Sequence, residues 1–188
     1  MILPNDRHVV LFAATVASEG DGVKAAGQLF ETSNVASQPI DIKRSEASAP
    51  KSASLVKGMQ PILCSGYVNE RESPAMLTDG KSDTKWCDTH AAPNFIVYDL
   101  GEEKSVSRWR LLHAGAEMRD YITRAVLLQG RNTPTEEWRT LDMLDGNRLN
   151  ETDRTFTPQS VRYVRLYVVA PTQEINGLAT RLYEFELW

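Results

Sequence analysis

The chain has 188 residues, a net charge of −4 and 24% charged residues. A chain of this length can bury a core without metals or disulfides, and it has room for one domain plus a flanking piece. Its basic residues are scattered among acidic ones, so we expect no nucleic acid partner. No apolar run reaches the roughly 18 to 20 residues that span a bilayer, and the first residues lack the features of an export signal. We therefore expect a soluble chain with no membrane partner.

The N-terminal part predicts a short β extension followed by a linker. Residues 8–17 form a largely apolar run rich in β-branched residues that stops at a Gly-rich turn, and a second strand is predicted over Lys24–Phe30. Residues 35–54 are mostly Ser, Ala, Pro, Lys and Glu, a composition typical of a connector. We therefore interpret residues 1–53 as the tail of a preceding domain plus linker, and residues 54–188 as a separate folded module.

Short apolar segments with turn signals between them follow the linker, and no convincing helix interrupts them. The alternation is clearest at the end, where Tyr183, Phe185 and Leu187 fall on one face and Glu184 and Glu186 on the other. Short strands at this spacing predict an all-β sandwich or barrel. The six predicted strands are Asn94–Leu100, Val106–His113, Ile122–Gly130, Trp138–Leu144, Val161–Ala170 and Thr180–Trp188.

Five motifs run through this region in order. Residues 75–86 lead through an Asp79-Gly80 turn to Thr84 and Trp86, and the four motifs after them are Phe95–Gly101, Ala125–Gly130 ahead of Trp138, Val161–Leu166 and Arg181–Trp188. Together they resemble the factor V/VIII type C, or discoidin, domains and the family-32 carbohydrate-binding modules. The resemblance implies a galactose-binding-like fold, a jelly-roll β-sandwich of about eight antiparallel strands in two facing sheets.

The Asp79 loop also predicts a metal site. Gly80 lets the backbone turn back, so the oxygens of Asp79, Asp83 and Thr84 can converge, and hard oxygen ligands suit Ca²⁺. An Asp-Gly turn capped by its own side chain is the alternative. The resemblance to the family implies one structural calcium ion that also takes a Glu of the last strand. The expected ligands are the carbonyls of Met76 and Ser82 together with Asp79, Thr84 and Glu184.

A ligand is expected at the loops of one end of the sandwich. Sugars are held by aromatic faces and by planar or charged hydrogen-bonding groups, usually on loops of a rigid scaffold. Compared with the galactose-binding members of the family, Glu70 falls where they place an acidic ligand, but Cys87 replaces a His and His90 an aromatic ring. A sugar other than galactose, or none, therefore stays open. The candidate sugar-binding residues are Glu70, Asp88, His90, His113, Glu117 and Arg119.

Two alternatives concern individual candidates. His113 shares the strand parity of Trp109 and Leu111, so it also fits a histidine at the edge of the core. Glu117 and Arg119 lie two apart in a loop and also fit ordinary solvated charge. Cys64 and Cys87 are expected to be free thiols, with a bridge between them left open.

The sequence favours a non-catalytic carbohydrate-binding module that targets a secreted bacterial glycoside hydrolase to glycans. Its partners would be a glycan and the catalytic domain of that hydrolase, outside the cell, in the periplasm or at the cell surface. No nucleophile elbow, phosphate-binding loop or zinc spacing occurs, and carboxylates scattered over loops do not indicate a glycosidase. The alternatives are a discoidin-type module that binds a protein or phospholipid surface, or a structural spacer. The loops beginning at Cys87 and Ala114 lack the large apolar side chains of membrane wedges.

Overall fold

A computed structural model describes residues 52–174 and 176–188. The predicted N-terminal strands and most of the linker lie outside the described residues. Short 3-10 helices occupy Glu70–Glu72, Pro74–Thr78 and Arg119–Tyr121. The strands are β1 Leu63–Cys64, β2 Trp86–Asp88, β3 Asn94–His113, β4 Ala125–Arg131, β5 Arg139–Leu144, β6 Glu151–Ala170 and β7 Thr180–Leu187.

The seven described strands form one continuous antiparallel sheet in the order β2-β7-β3-β6-β4-β5, with β1 beside β3. The strands β3 and β6 are 20 residues long and each contributes to two leaves. In the first leaf, Phe95 pairs with Tyr167, and β1, β4 and β5 complete that leaf. In the second leaf, Leu111 pairs with Thr152 on one side and with Phe185 on the other, and β2 forms the edge.

The core lies between the two leaves. Ile96 and Tyr98 of the first leaf join Trp109, Leu111 and Phe185 of the second leaf in one buried cluster. The ring centres of Tyr98 and Phe185 lie 6.0 Å apart, so the two leaves pack face to face. Full burial of an aliphatic or Phe side chain contributes about 1.5–3 kcal/mol. The predicted all-β sandwich is confirmed.

Two details of the predicted strands are wrong. Asn94–Leu100 and Val106–His113 are parts of one strand, because Gly101 adopts φ +83° and carries the chain through a register shift between Asp99 and Lys104. The strand predicted over Val161–Ala170 likewise starts earlier, at Glu151. Residues 101–105 and 151–160 are largely polar and exposed, so they lack the apolar alternation that marks a half-buried strand. The two facing leaves of the sandwich are therefore continuous with each other through the bent strands β3 and β6, and they contain seven described strands.

Candidate functional site

One end of the second leaf gathers the loops that carry most of the candidate residues. Asp88 at the end of β2 pairs with Thr180 at the start of β7, and His113 at the end of β3 pairs with Leu182. The loops after β2, after β3 and before β7 therefore leave the second leaf at the same end of its strands. We call this end of the second leaf the loop end.

Glu117 lies at the centre of a charged cluster at the loop end. Its Oε1 accepts hydrogen bonds from Lys85 Nζ at 2.7 Å and from the Tyr183 hydroxyl at 2.8 Å, and Lys85 Nζ also lies 3.4 Å from Glu72 Oε1. Burial alone would raise the pKa of Glu117, but the hydrogen bonds from Lys85 and Tyr183 hold it below its usual range. These four residues, the Glu117 cluster, thus present an ionised acceptor beside a cation and a phenol.

A cleft lies beside the start of β7, the strand that also carries Tyr183. Its volume is about 210 Å³, and the guanidinium carbon of Arg181 lies 4.0 Å from the centre of the Tyr121 ring at its wall. Met118 and Leu178 also line it and are 50% and 56% exposed, so it combines apolar and charged walls. A cleft of this kind can hold a ring with both apolar faces and hydroxyl groups.

Asp88 and His90 form a linked pair at the loop end. The Asp88 carboxylate accepts hydrogen bonds from the Ser65 hydroxyl at 2.5 Å and the His90 amide at 3.0 Å, and it lies 2.6 Å from His90 Nδ1. Burial would raise the pKa of Asp88, but these hydrogen bonds lower it. Asp88 is fully buried whereas the His90 side chain is 67% exposed. Asp88 stays a predicted sugar-binding residue, and in the structure its buried carboxylate positions the exposed imidazole of His90.

His113 is a core residue. Its side chain has no exposed surface, and Nε2 lies 3.2 Å from Thr152 Oγ1 and 3.4 Å from Asn147 Nδ2. Burial lowers its pKa to about 4, so the imidazole is neutral at neutral pH. The sugar-binding role of His113 stays a prediction, and its burial favours the alternative of a histidine in the core.

Glu70 and Arg119 stand apart from the Glu117 cluster. Glu70 accepts a hydrogen bond from the Tyr67 hydroxyl at 3.1 Å, and both line a different groove of about 310 Å³ beside β1. Arg119 is exposed at the start of its 3-10 helix, within the loop that carries Glu117 and Tyr121. Of the six predicted residues, Glu117, His90 and Arg119 thus belong to the accessible part of the loop end.

The predicted sugar-binding residues did not include Tyr183, Arg181 or Lys85, which lie in the Glu117 cluster or at the cleft. The alternation in β7 predicts Tyr183 on the core face, but a register shift beside Leu112 inserts an extra residue there. Leu182 points into the core instead, and Tyr183 reaches Glu117. A bulge leaves no signal in the apolar pattern of a single strand, so sequence reasoning had no means to find it.

The Asp79 loop folds against the buried Glu184 of β7. The Gly80 amide donates to both carboxylate oxygens of Glu184 at 3.3 and 3.2 Å, and the Thr84 hydroxyl donates to Asp79 Oδ2 at 2.8 Å. Gly80 has φ +81°, a left-handed conformation that suits glycine. Burial, and then the charge of Asp79, raise the pKa of Glu184 to about 7.

The loop offers the oxygen atoms that a hard cation prefers. Glu184 lines a cavity of about 120 Å³ together with Gly80 and Ser82, and the cations Lys81 and Arg110 line it too. The Thr84 hydroxyl and the Asp79 carboxylate are hydrogen-bonded to each other in the adjoining loop, and Met76 lies in the 3-10 helix just before Asp79. The raised pKa of Glu184 reflects an anion that has been buried next to another one. No group of three or more His, Cys, Asp or Glu side chains suits a metal within the described ranges, so carbonyl and hydroxyl oxygens would have to complete the coordination.

Cys64 and Cys87 are free thiols, as expected. Burial raises the pKa of each above its usual value, which disfavours the reactive thiolate. Within the part of the chain that the structure describes, no helix has the length and apolar character to cross a membrane.

The fold and loop end define an antiparallel β-sandwich that can present a ligand site on its loops. The model of the F5/8 type C domain family matches residues 61–182, so the chain belongs to this family. The family resemblance that the motifs predicted is confirmed. No curated protein sequence matches the chain.

Solved structures with the same fold include carbohydrate-binding modules. A family 32 carbohydrate-binding module from Streptococcus pneumoniae EndoD is similar with a TM-score of 0.62 and 23% identity over 72% of this chain and 99% of that one. Chitosan-binding module 1 of a chitosanase/glucanase from Paenibacillus sp. IK-5 gives 0.61 and 22% over 73% and 99%. Module 2 of that enzyme, solved with chitotriose, gives 0.60 and 23% over 71% and 98%. At these identities the likeness shows the fold.

Proposed function

We propose that this chain is a non-catalytic module that binds a glycan at the loop end. The observation that carries the proposal is the Glu117 cluster beside the cleft of Arg181 and Tyr121. Glu117 is an ionised acceptor for sugar hydroxyls, while Lys85 and Arg181 are donors, and Met118 with Tyr121 supplies apolar surface for the C–H face of a ring. The exposed imidazole of His90 adds a further hydrogen-bonding group at this edge.

The kinship with family-32 modules supports the proposal but leaves the sugar open. The chitosan-binding modules that share the fold suggest amino-sugar oligosaccharides as a first test set. The acidic groups at the loop end, Glu72 and Glu117 with Asp120 and Glu174 at the cleft, would also attract a cationic sugar.

A calcium ion belongs to the same proposal as a structural element. Asp79, Thr84 and Glu184 would hold it with the carbonyls of Met76 and Ser82. When bound, the ion supplies positive charge that offsets the repulsion between the two carboxylates and fixes the loop. The loop leads through Lys85 directly into β2, so its order also positions one member of the Glu117 cluster.

The wider role that we propose is to bring a secreted bacterial glycoside hydrolase to its substrate, outside the cell or in the periplasm. A shallow loop site contacts few ligand atoms. At about −0.3 kcal/mol per non-hydrogen atom, a twelve-atom sugar reaches about −4 kcal/mol, so the dissociation constant should be of the order of 1 mM. A catalytic domain engaged on the same polymer would strengthen retention through effective concentration.

A glycan array followed by titration calorimetry tests the proposal. We expect the chain to bind at least one glycan, and Glu117→Gln, Arg181→Gln, His90→Ala and Arg119→Ala each to weaken binding while the melting temperature changes little. Glu102→Gln, at an exposed acid in the bend of β3, is the matched control and should bind like the parent chain. Binding that survives all four changes would place the site elsewhere. A silent array with retention on phospholipid vesicles would favour the lipid-binding alternative, and silence in both would favour a spacer.

A further inference from the structure

The outer face of the first leaf carries two arginines around one indole ring. In β6, Val164 and Leu166 point into the core, so Arg165 lies on the opposite face, where it pairs with Gln129 of β4. The guanidinium carbons of Arg131 and Arg165 lie 4.2 and 4.6 Å from the centre of the Trp138 ring. These three residues, the Trp138 site, are all half-buried.

The neighbouring arginines of the sandwich are matched by carboxylates, and those of the Trp138 site are not. Arg162 pairs with Asp99, Arg154 with Asp142, and Arg110 with Glu151 and Glu186. Arg165 instead donates its Nε to the amide oxygen of Gln129 at 2.8 Å, and Arg131 donates Nη1 to the carbonyl of Glu136 at 3.2 Å. Among the described residues, neither has an acidic partner.

Two further observations point to an anion at this place. The Nε of Arg131 is buried and has no hydrogen-bond partner among the described residues, which leaves a donor that costs free energy unless an acceptor reaches it. The pKa of Arg165 is lowered, first by burial and also by the charge of Arg131. Two cations therefore share a partly desolvated surface without a counter-charge.

We propose that the Trp138 site is a second ligand site, on the sheet face and separate from the loop end, and that it binds the carboxylate of an acidic saccharide. The planar fork of a guanidinium matches a carboxylate in two parallel hydrogen bonds. The Tyr167 ring lies 4.6 Å from the Arg165 guanidinium carbon, so the Tyr167 and Trp138 rings together hold this guanidinium in place.

The surroundings favour a ligand of low charge density. Glu136 and Glu137 are exposed in the loop that leads to Trp138, so a nucleic acid or a densely anionic membrane would meet like charges there. A uronate carries one carboxylate per ring. The two guanidinium groups can bind that carboxylate, while the uncharged remainder of the sugar is not repelled by the two glutamates. This site does not depend on the loop end, because the two lie on different leaves.

The test is a titration of the full chain with a galacturonate trisaccharide, followed by the NMR signal of the Trp138 indole N–H and by calorimetry. The galactose trisaccharide is the neutral match. We expect the indole signal to shift with the acidic sugar alone, and the affinity to fall as salt rises. No shift of the indole signal in the unaltered chain overturns the proposal, even if every variant fails to fold.

Three variants locate the binding. Arg131→Gln should weaken acidic-sugar binding by about tenfold or more, the size of one lost charge-assisted hydrogen bond, and Arg165→Lys should also weaken it because it keeps the charge but loses the fork. Arg162→Gln, on the same strand but paired with Asp99, is the control and should bind unchanged. Equal losses in all three, equal binding of the neutral sugar, or retention on anionic vesicles without uronate binding would overturn the site. Loss in Glu117→Gln would assign the uronate to the loop end instead.

Discussion

His113 is a titratable side chain that the fold holds neutral behind the loop end. Its pKa falls from 6.5 to about 4 on burial, so the unfolded chain takes up a proton first as the pH is lowered. Stability from this residue is therefore complete above about pH 7 and is lost as the pH falls from 6.5 towards 4. The loss approaches about 3 kcal/mol at the lower limit.

We expect His113→Gln to remove this part of the pH dependence, because glutamine cannot take up the proton. The measurement is the free energy of unfolding of both proteins between pH 4 and pH 7. The variant should be less stable at pH 7 because it loses the contacts of the buried imidazole. The difference in free energy of unfolding between the two proteins should then narrow towards pH 4. A gap that stays constant over this range would contradict the neutral, buried state of His113.

Some residues of the candidate site could be predicted from the sequence and others could not. Glu117, His90 and Arg119 were predicted because exposed polar groups in a loop beside a strand end are visible in the sequence. Their partners were not, because Lys85 and Tyr183 reach Glu117 only through pairings between distant strands. Burial of Asp88 and His113 depends on the same pairings, so their roles as support and as core could not be separated from ligand contact.

At the scale of the element, Gly101 allows β3 to continue through its bend. Its φ is +83°, and a Cβ built there meets nothing within 4 Å. The cost of a side chain is therefore conformational, about 1–2 kcal/mol for a left-handed residue. We expect Gly101→Ala to lower the free energy of unfolding by about that amount, measured by chemical denaturation.

Gly101→Asn is the matched variant, because asparagine tolerates the left-handed region better than alanine. It should lose less stability than Gly101→Ala. Equal losses would indicate that the new side chain, not the backbone, causes the effect. Since the bend is remote from both ligand sites in sequence and is exposed, we expect neither variant to alter sugar binding.

The Asp79 loop carries the calcium prediction. A ligand that binds only the folded state raises stability by mass action, so added Ca²⁺ should raise the melting temperature and a chelator should lower it. Asp79→Ala should abolish that dependence, whereas Glu137→Ala, at an exposed acid in the loop before β5, should keep it. A melting temperature indifferent to Ca²⁺ and chelator would leave the loop as a turn capped by the Asp79 carboxylate, which accepts hydrogen bonds from the Lys81 amide and the Thr84 hydroxyl.

The sequence predicts the strands where one face of the strand is buried. It does not predict them where both faces are exposed to solvent. All six predicted segments overlap strands of the sandwich. The continuity of β3 through residues 101–104 and the start of β6 at Glu151 were missed because these residues face solvent. The two leaves are joined because β3 and β6 bend and continue from one leaf into the other. The apolar period of a sequence does not predict such a bend.

At the scale of the whole molecule, the first described residues are hydrogen-bonded to the last two residues of the chain. Leu55 donates its amide to the Leu187 carbonyl at 2.8 Å, Leu187 donates to Ser54 Oγ at 3.0 Å, and Trp188 Nε1 donates to the Ser52 carbonyl at 3.0 Å. We expect limited proteolysis to cut between about Ser37 and Ser52 and to leave a folded core.

Two truncations test this boundary. A fragment of residues 52–188 should unfold at nearly the temperature of the full chain, whereas a fragment of residues 56–188 should unfold at a lower one because it lacks these hydrogen bonds. The comparison is made by circular dichroism at equal concentration. Survival of a separately folded N-terminal fragment after proteolysis would contradict the interpretation of residues 1–53 as a tail and linker.

The long strands β3 and β6 also decide how this sandwich comes apart. Each of them has one half in each leaf, so neither leaf can separate without breaking the ladders of the other. Amide protons in the two leaves, such as those of Leu111 and Leu166, should then exchange with deuterium at rates set by the same global opening, while those of the loop end exchange faster. A ligand held by the loops could therefore come and go through local fluctuations that leave the body of the protein closed.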